Sequence, residues 1–317
     1  MVLSWIGYEL DGNSWEELCM DICRIAYKDD YFHTVPAHHK GDGGIEGFTK
    51  SKLGLVFQCY CPDDANVDYD KLYELQRDKV TRDIQKIIDN HQILKDIGVT
   101  QISRWIFMIP EYKDKRILAH CQNKQNMILK AKLSDPENLQ YISDNFQIDI
   151  KVAADFKTEI ARLIRTRITD IKLDIPDIEN ADINWEDIDS EKSENVIRKM
   201  KAISPSSGEN QNRMNMLIDH QIKKYVSGKV MLEKLSNEYP DIWNDIMSLE
   251  RVFKNKVREK TLLAHNNEMN LATYNELSAE FEKSLKKELN YLTIETSMSL
   301  SQSIISSWLA DCHMEFF

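Results

Sequence analysis

The chain has 317 residues, 42% of them hydrophobic, and a formal net charge of −11, a length that allows two domains. Mean hydropathy is −0.49 and no apolar run approaches the roughly 18 residues of a membrane span, so no membrane association is expected. Met1-Val2-Leu3-Ser4-Trp5 lacks the basic and apolar regions of a secretory leader, which points to a cytoplasmic protein.

Ser14 to Tyr27 reads as a helix capped by Asn13 or Ser14, with Leu18, Cys19, Ile22, Ile25 and Ala26 on one face. Tyr31 to Pro36 reads as a strand. A turn with four glycines between Gly41 and Gly47 follows; glycine accepts positive φ and lets another backbone or a phosphate approach closely. Ile45-Glu46-Gly47-Phe48 and Leu53 to Cys61 read as strands joined by a polar hairpin. The second of these is almost continuously apolar, as in a strand buried on both faces, and Gln58 interrupts it. A buried Gln left unpaired costs about 1–3 kcal/mol. Either it is satisfied within the core, or it meets a ligand. Paired in this way, Glu46 and Gln58 can converge on one metal ion.

Farther along, Asp68 to Lys95 reads as one long helix with Leu72, Leu75, Val80, Ile84, Ile87, Ile88 and Leu94 buried, and with Gln76, Arg77, Lys79, Arg82 and Lys86 on the remainder. Gln101 to Pro110 is a strand, Lys113 to Leu133 a helix, Phe146 to Val152 a strand, and Asp155 to Thr166 a helix capped by Asp155. This alternation predicts an α/β domain, a mixed sheet flanked by helices, over residues 1–168. Asp170 to Glu194 holds ten acidic residues against two basic ones; it reads as a solvated acidic linker over 169–190, or as a mimic of DNA that shields a cleft. An all-α domain over 191–317 is expected, with helices at Asn184–Ile203, Glu209–Asn237, Pro240–Ala264 and Thr273–Ser307, a turn at Ser204–Gly208, and a Phe281, Leu285, Leu289 stripe. The apolar tail from Trp308 to Phe317 reads as a docking element for a partner or a second copy. The six cysteines contain no Cys-x-x-Cys pair. Cys19, Cys23, Cys59 and Cys61 are buried thiols or, with less support, a zinc site.

The order helix, strand, glycine turn, acidic strand, Gln strand, helix resembles the Mrr-like branch of the PD-(D/E)XK restriction-endonuclease superfamily. The resemblance is carried by the Trp15-Glu16 pair, the Gly41-Asp42-Gly43-Gly44-Ile45-Glu46-Gly47 turn and the Gln58-Cys59-Tyr60 strand, and covers roughly residues 10–165. It implies a restriction-endonuclease-like fold and a Mg²⁺- or Mn²⁺-dependent DNA endonuclease. Glu46, Gln58 and Glu16 would then hold the metal, with Asp42 a weaker ligand. Lys40, Lys50, Lys52, Arg77 and Arg82 would contact double-stranded DNA, and His38 and His39 would lie near the scissile phosphate. A looser likeness to nuclease effectors of bacterial antiphage defence implies a homo-oligomer or a partner ATPase of SMC-like or ABC type, with the helical domain as gate.

The chain departs from the family at Gln-x-Lys, where the lysine is Tyr60. Three explanations stand. Lys79 supplies the charge from the following helix (Lys50 or Lys52 less readily), Tyr60 itself donates a hydrogen bond, or the fold binds DNA or scaffolds a defence complex without cutting. No P-loop, Gly-x-Gly-x-x-Gly or Ser-His-Asp arrangement supports a small-molecule enzyme.

Overall fold

The computed structural model describes residues 3–6, 11–36, 43–63, 67–167, 169–176, 178, 189–204, 211–311 and 313–316. The chain divides into two compact units, one spanning Tyr8–Leu163 and the other Ile164–Phe317 together with Leu3–Gly7.

The first unit is a mixed five-stranded sheet with helices on its faces. Its strands are β1 (Phe32–Thr34), β2 (Gly47–Thr49), β3 (Leu55–Cys59), β4 (Ile102–Ile109) and β5 (Ile142–Val152), lying in that order. The β1–β2 and β2–β3 pairs are antiparallel, and the β3–β4 and β4–β5 pairs parallel. Helix α1 (Gly12–Ala26) starts two residues earlier than its sequence suggests, because the Asp11 side chain accepts from Ser14 N at 2.7 Å and so acts as the N-cap in place of Asn13 or Ser14. Asp68 caps α2 (Tyr69–Asp89) in the same manner, accepting from Lys71 N at 2.8 Å. The expected long helix is broken at Asn90, and α3 (His91–Asp96) continues the chain as a separate element. Helix α4 (Arg116–Ser134) and the part of α5 (Lys157–Thr166) up to Leu163 complete the unit's helices. Asp155 accepts from Val152 N at 2.9 Å in the short 3₁₀ turn ahead of α5, so it braces that entry.

The sheet's two faces bury different sets of side chains. On one, Ile45, Phe48, Val56, Trp105 and Phe107 pack with Val80, Ile84 and Ile87 of α2 and Ile117, Cys121 and Ile128 of α4. On the other, Phe57 meets the rings of Tyr27 and Phe32 at 4.9 and 5.5 Å. Strand β3 is buried along its whole length, which is why it reads as an unbroken apolar run.

The second unit is a bundle of α6 (Ser190–Ile203), α7 (Gln211–Glu238), α8 (Pro240–Leu263), α9 (Asn267–Glu288) and α10 (Ile294–Ala310). Phe281 is its aromatic hub, 5.1 Å from Phe253 and 4.8 Å from Trp308 between ring centroids. Pro240 occupies the first turn of α8. Helices α7 and α10 touch where Gly228 faces Ser303; a Cβ at 228 would lie 2.4 Å from that of Ser303.

Three expectations for this unit are corrected. The single helix expected over Thr273–Ser307 is two, α9 and α10, because the segment between them pairs with another part of the chain. Leu173 donates its N–H to Tyr291 O at 2.9 Å and accepts from Thr293 N at 3.0 Å, and Thr293 caps α10. By the same contacts the start of the acidic stretch is not a solvated linker: Leu173 and Ile175 are buried in this unit. Nor is the tail free to dock elsewhere, since Trp308, Leu309, Met314 and Phe316 are buried in the bundle. Arg198 Nη1 donates to Phe316 O at 3.1 Å and Glu315 N to Thr261 Oγ1 at 3.0 Å. Residues 177 and 179–188 of the acidic stretch, the turn expected at Ser204–Gly208 beyond Ser204, and Cys312 lie outside the described residues. Among the described residues no helix is long and apolar enough to cross a membrane.

Gly44 tests how tightly the first unit seats its glycine turn. Its φ is +90°, and a Cβ there would fall 2.5 Å from the carbonyl oxygen of Asp83. Gly44→Ala is expected to cost about 2 kcal/mol or more. A denaturation midpoint equal to wild type would show that the turn yields freely.

Candidate functional site

The glycine turn delivers Glu46. Gly43 and Gly44 both have positive φ, and the Trp105 indole N–H donates to Gly44 O at 3.2 Å, tying the turn to β4. Two residues on, the backbone of Glu46 joins the strands on either side. Its N–H donates to Phe57 O and its carbonyl accepts from Val35 N, each at 2.8 Å. Gly47 stands opposite Phe57 and Phe48 opposite Val56, so Glu46 lies beside Gln58 and on the same side of the sheet, as the period of two requires.

The two side chains meet. Gln58 Nε2 donates to Glu46 Oε1, and the Cys59 backbone N–H donates to Glu46 Oε2 at 2.6 Å. Gln58 is fully buried and Glu46 nearly so, at 8% exposure. The other amide atom, Gln58 Oε1, is buried with no hydrogen-bond partner. Native structures leave few such atoms orphaned.

Burial, and after it the charge of Glu16, push the Glu46 carboxyl up to about 7; the Cys59 hydrogen bonds and the charge of Lys79 act in the opposite direction. Glu16 is brought near through its neighbour. The Trp15 indole N–H donates to Met108 O at 3.0 Å, and that same carbonyl accepts from Tyr60 N at 3.0 Å. Helix α1 is thereby pinned across the carboxyl ends of β3 and β4. Lys79 comes from α2; its ammonium is 3.0 Å from Asp83 Oδ2 and its side chain is 17% exposed. Glu16, Glu46, Gln58 and Lys79 therefore form one electrostatic group drawn from α1, the β2–β3 pair and α2.

The remaining expected site residues fall elsewhere. Tyr60 stacks on Phe107 at 6.4 Å between centroids and joins the core packed under α2. Burial, then Asp63, raises its hydroxyl pKa, and Arg82 opposes them. Lys50 and Lys52 sit at the exposed hairpin, with Lys50 four residues beyond Glu46, roughly 13 Å along the strand. Neither is brought to the carboxylate. Arg77 is engaged with Asp78 at 2.7 Å and lies over the Tyr73 ring at 5.8 Å. Arg82 is exposed on α2. His38, His39, Lys40 and Asp42 lie outside the described residues.

Cys19, Cys23, Cys59, Cys61 and Cys121 are buried thiols outside any disulfide. Cys19 and Cys59 share a hydrogen bond, and burial raises both thiols. Among the described residues no three His, Cys, Asp or Glu side chains are grouped to hold a metal ion. Any hard cation at Glu46 would have two carboxylates, one amide oxygen and water for ligands, a set compatible with Mg²⁺.

Two contributors escaped the reading of the sequence. Met108 O, the common acceptor for Trp15 and Tyr60, carries no side-chain signal at all. Asp83 does carry one, since Lys79, Asp83 and Lys86 follow the i, i+4 and i+3 spacing of helical ion pairs. Comparison with protein-family models, curated sequences and solved structures finds no match to this chain.

The electrostatics of Glu46 set a pH dependence. An acid that ionises near 4.5 in the unfolded chain and near 7 in the native one contributes stability below 4.5 that is lost as pH rises through 7. Ionised Glu46 then costs the metal-free protein about 3 kcal/mol. Glu46→Gln removes that cost, so the variant is expected to be more stable than wild type at pH 8.5 and to lose the advantage near pH 4. Parallel pH–stability curves for the two proteins would contradict the burial of this charge.

Proposed function

We propose that the first unit has a restriction-endonuclease-like fold and cleaves DNA with a bound divalent cation. The observation that carries this reading is the hydrogen bond between Glu46 and Gln58 across paired strands, with Gln58 Oε1 buried beside it and without a partner. The donor set fits Mg²⁺ or Mn²⁺. All the oxygens are hard, the one orphaned oxygen is uncharged, and Glu16 and Glu46 are close enough to repel one another. A cation shared by Glu46, Gln58 and Glu16 would relieve both the repulsion and the orphan. When bound, it supplies a water of lowered pKa and neutralises charge on the phosphate.

The chain's own groups have distinct tasks. Cys59 N–H and Gln58 Nε2 fix the Glu46 carboxylate, so it meets its ligand without reorganising. Lys79 offers the positive charge that Tyr60 cannot, facing the negative charge that grows on the phosphoryl oxygens. Double-stranded DNA would be held mainly through its phosphates, with affinity that falls as salt rises. Action in antiphage defence, gated by the helical unit or by an ATPase partner, belongs to the same proposal.

A second reading, a nuclease fold that binds or scaffolds without cutting, is favoured by the stacking of Tyr60 on Phe107 at the position of the family's lysine. One assay separates the two. Purified protein is expected to nick or linearise plasmid DNA with Mg²⁺ or Mn²⁺ and to lose at least about a hundredfold in rate on Glu46→Ala. Intact plasmid with either metal would favour the scaffold. Cleavage that survives Glu46→Ala would remove this site from the reaction.

A further inference from the structure

Asp83 is a carboxylate that the reading above leaves without a task, and it is 1% exposed. It sits at the middle of α2 between two lysines of the same helix. Its Oδ2 lies 3.0 Å from Lys79 Nζ and its Oδ1 3.1 Å from Lys86 Nζ. The two arms differ in shelter: the Lys79 side chain is 17% exposed and that of Lys86 44%. Exposed pairs at this spacing contribute little to stability, and a buried carboxylate is expensive to desolvate. Helix stability alone is therefore a poor reason for the arrangement.

The glycine turn meets α2 at the Asp83 backbone. A Cβ on Gly44 would meet Asp83 O at 2.5 Å and Lys86 Cβ at 3.1 Å, so the turn rests directly on this part of α2. From Gly44 the chain reaches Glu46 in two residues. The stretch of helix that seats the turn thus also fixes where Glu46 emerges, and Lys79 stands one helical turn before it. A lysine has a flexible four-carbon stem and a point charge, and holding it in one place requires an anchor.

We propose that Asp83 is a positioning residue: its carboxylate holds the Lys79 ammonium at a fixed reach from the Glu46–Gln58 pair, where it faces the phosphate of bound DNA. This role rests on the nuclease reading. Asp83 itself touches neither DNA nor metal. Lys86 closes the other, open side of the clamp and has no part in cleavage.

The test compares Asp83→Asn, Lys79→Met and the double variant in full-length protein. One readout is plasmid cleavage at saturating Mg²⁺, resolved into kcat and KM. The other is the acetylation rate of Lys79 with acetic anhydride, followed by peptide mass spectrometry. Asp83→Asn is expected to lower kcat by about tenfold to a hundredfold with little change in KM and to speed acetylation of Lys79 severalfold. In the Lys79→Met background, adding Asp83→Asn should lower kcat no further. Asp83→Glu keeps the charge but moves the anchor by one methylene. It should lower kcat while Lys79 stays slow to acetylate, and it serves if Asp83→Asn fails to fold.

Unchanged acetylation in Asp83→Asn overturns the inference, as does faster acetylation with undiminished kcat, or a further loss in the double variant. A wild-type chain that leaves DNA intact sinks the nuclease reading and takes this role with it. A wild type that cuts, beside an Asp83→Asn that cuts equally well, sinks the inference alone.

Discussion

The arrangement of the first unit turns on keeping one carboxylate out of water at the end of a sheet. Glu46 is 8% exposed, and its charge has to be held by whatever surrounds it. Two donors, Gln58 Nε2 and Cys59 N–H, supply that support, and Lys79 adds attraction at longer range. They do not prevail: burial and the neighbouring Glu16 outweigh them, and the carboxyl is pushed up to about 7. Strongly perturbed groups gather at functional sites but also occur in structural ion-pair networks. Beside this carboxylate Gln58 Oε1 is buried without a hydrogen-bond partner, and under the nuclease reading a cation shared with Glu46 would occupy that position.

Much of this was legible in the chain. The convergence of Glu46 and Gln58 follows from a short hairpin and a period of two, both local properties. Strand β4 announces itself through Ile102 to Ile109, and the bundle through Phe281 and Leu285. What could not be read depends on distant partners. The helical pattern runs on through Leu289, and only the backbone of Leu173, more than a hundred residues earlier, ends it. Residues Ile171, Leu173 and Ile175 carry an alternation typical of a strand, but the surrounding Asp and Glu residues hide it from any reading based on charge. The tail from Trp308 onward has no period because Met314 and Phe316 fill gaps between helices instead of forming a face.

The glycine turn links the two halves of the candidate site. Its residues are permissive in themselves; their constraint comes from α2, whose Asp83 carbonyl leaves Gly44 no room for a side chain. A turn pressed onto a helix makes the strand that leaves it and the lysine on that helix parts of one rigid frame. This is the kind of support, from packing instead of from a second ring of polar groups, that holds reactive side chains within a fraction of an ångström.

The tyrosine at position 60 belongs to the same logic. Val56, Gln58 and Tyr60 alternate onto one side of β3, and on that side Trp105 and Phe107 stack at 5.4 Å with Tyr60 continuing the layer at 6.4 Å, each pair inclined by 12°. A lysine in this layer would have to desolvate its ammonium or withdraw its stem from the stack. The aromatic layer thus excludes a cation from the strand and stabilises the core beneath α2. Under the nuclease reading, the positive charge must then enter from the helix that covers this layer. Of the helix's cations, Lys79 acts on Glu46, with an anchor in Asp83; Lys86 shares that anchor from the open side, Arg77 is engaged with Asp78, and Arg82 acts on Tyr60. On that reading the aromatic layer at Tyr60 and the helix-borne charge of Lys79 are two sides of one packing arrangement.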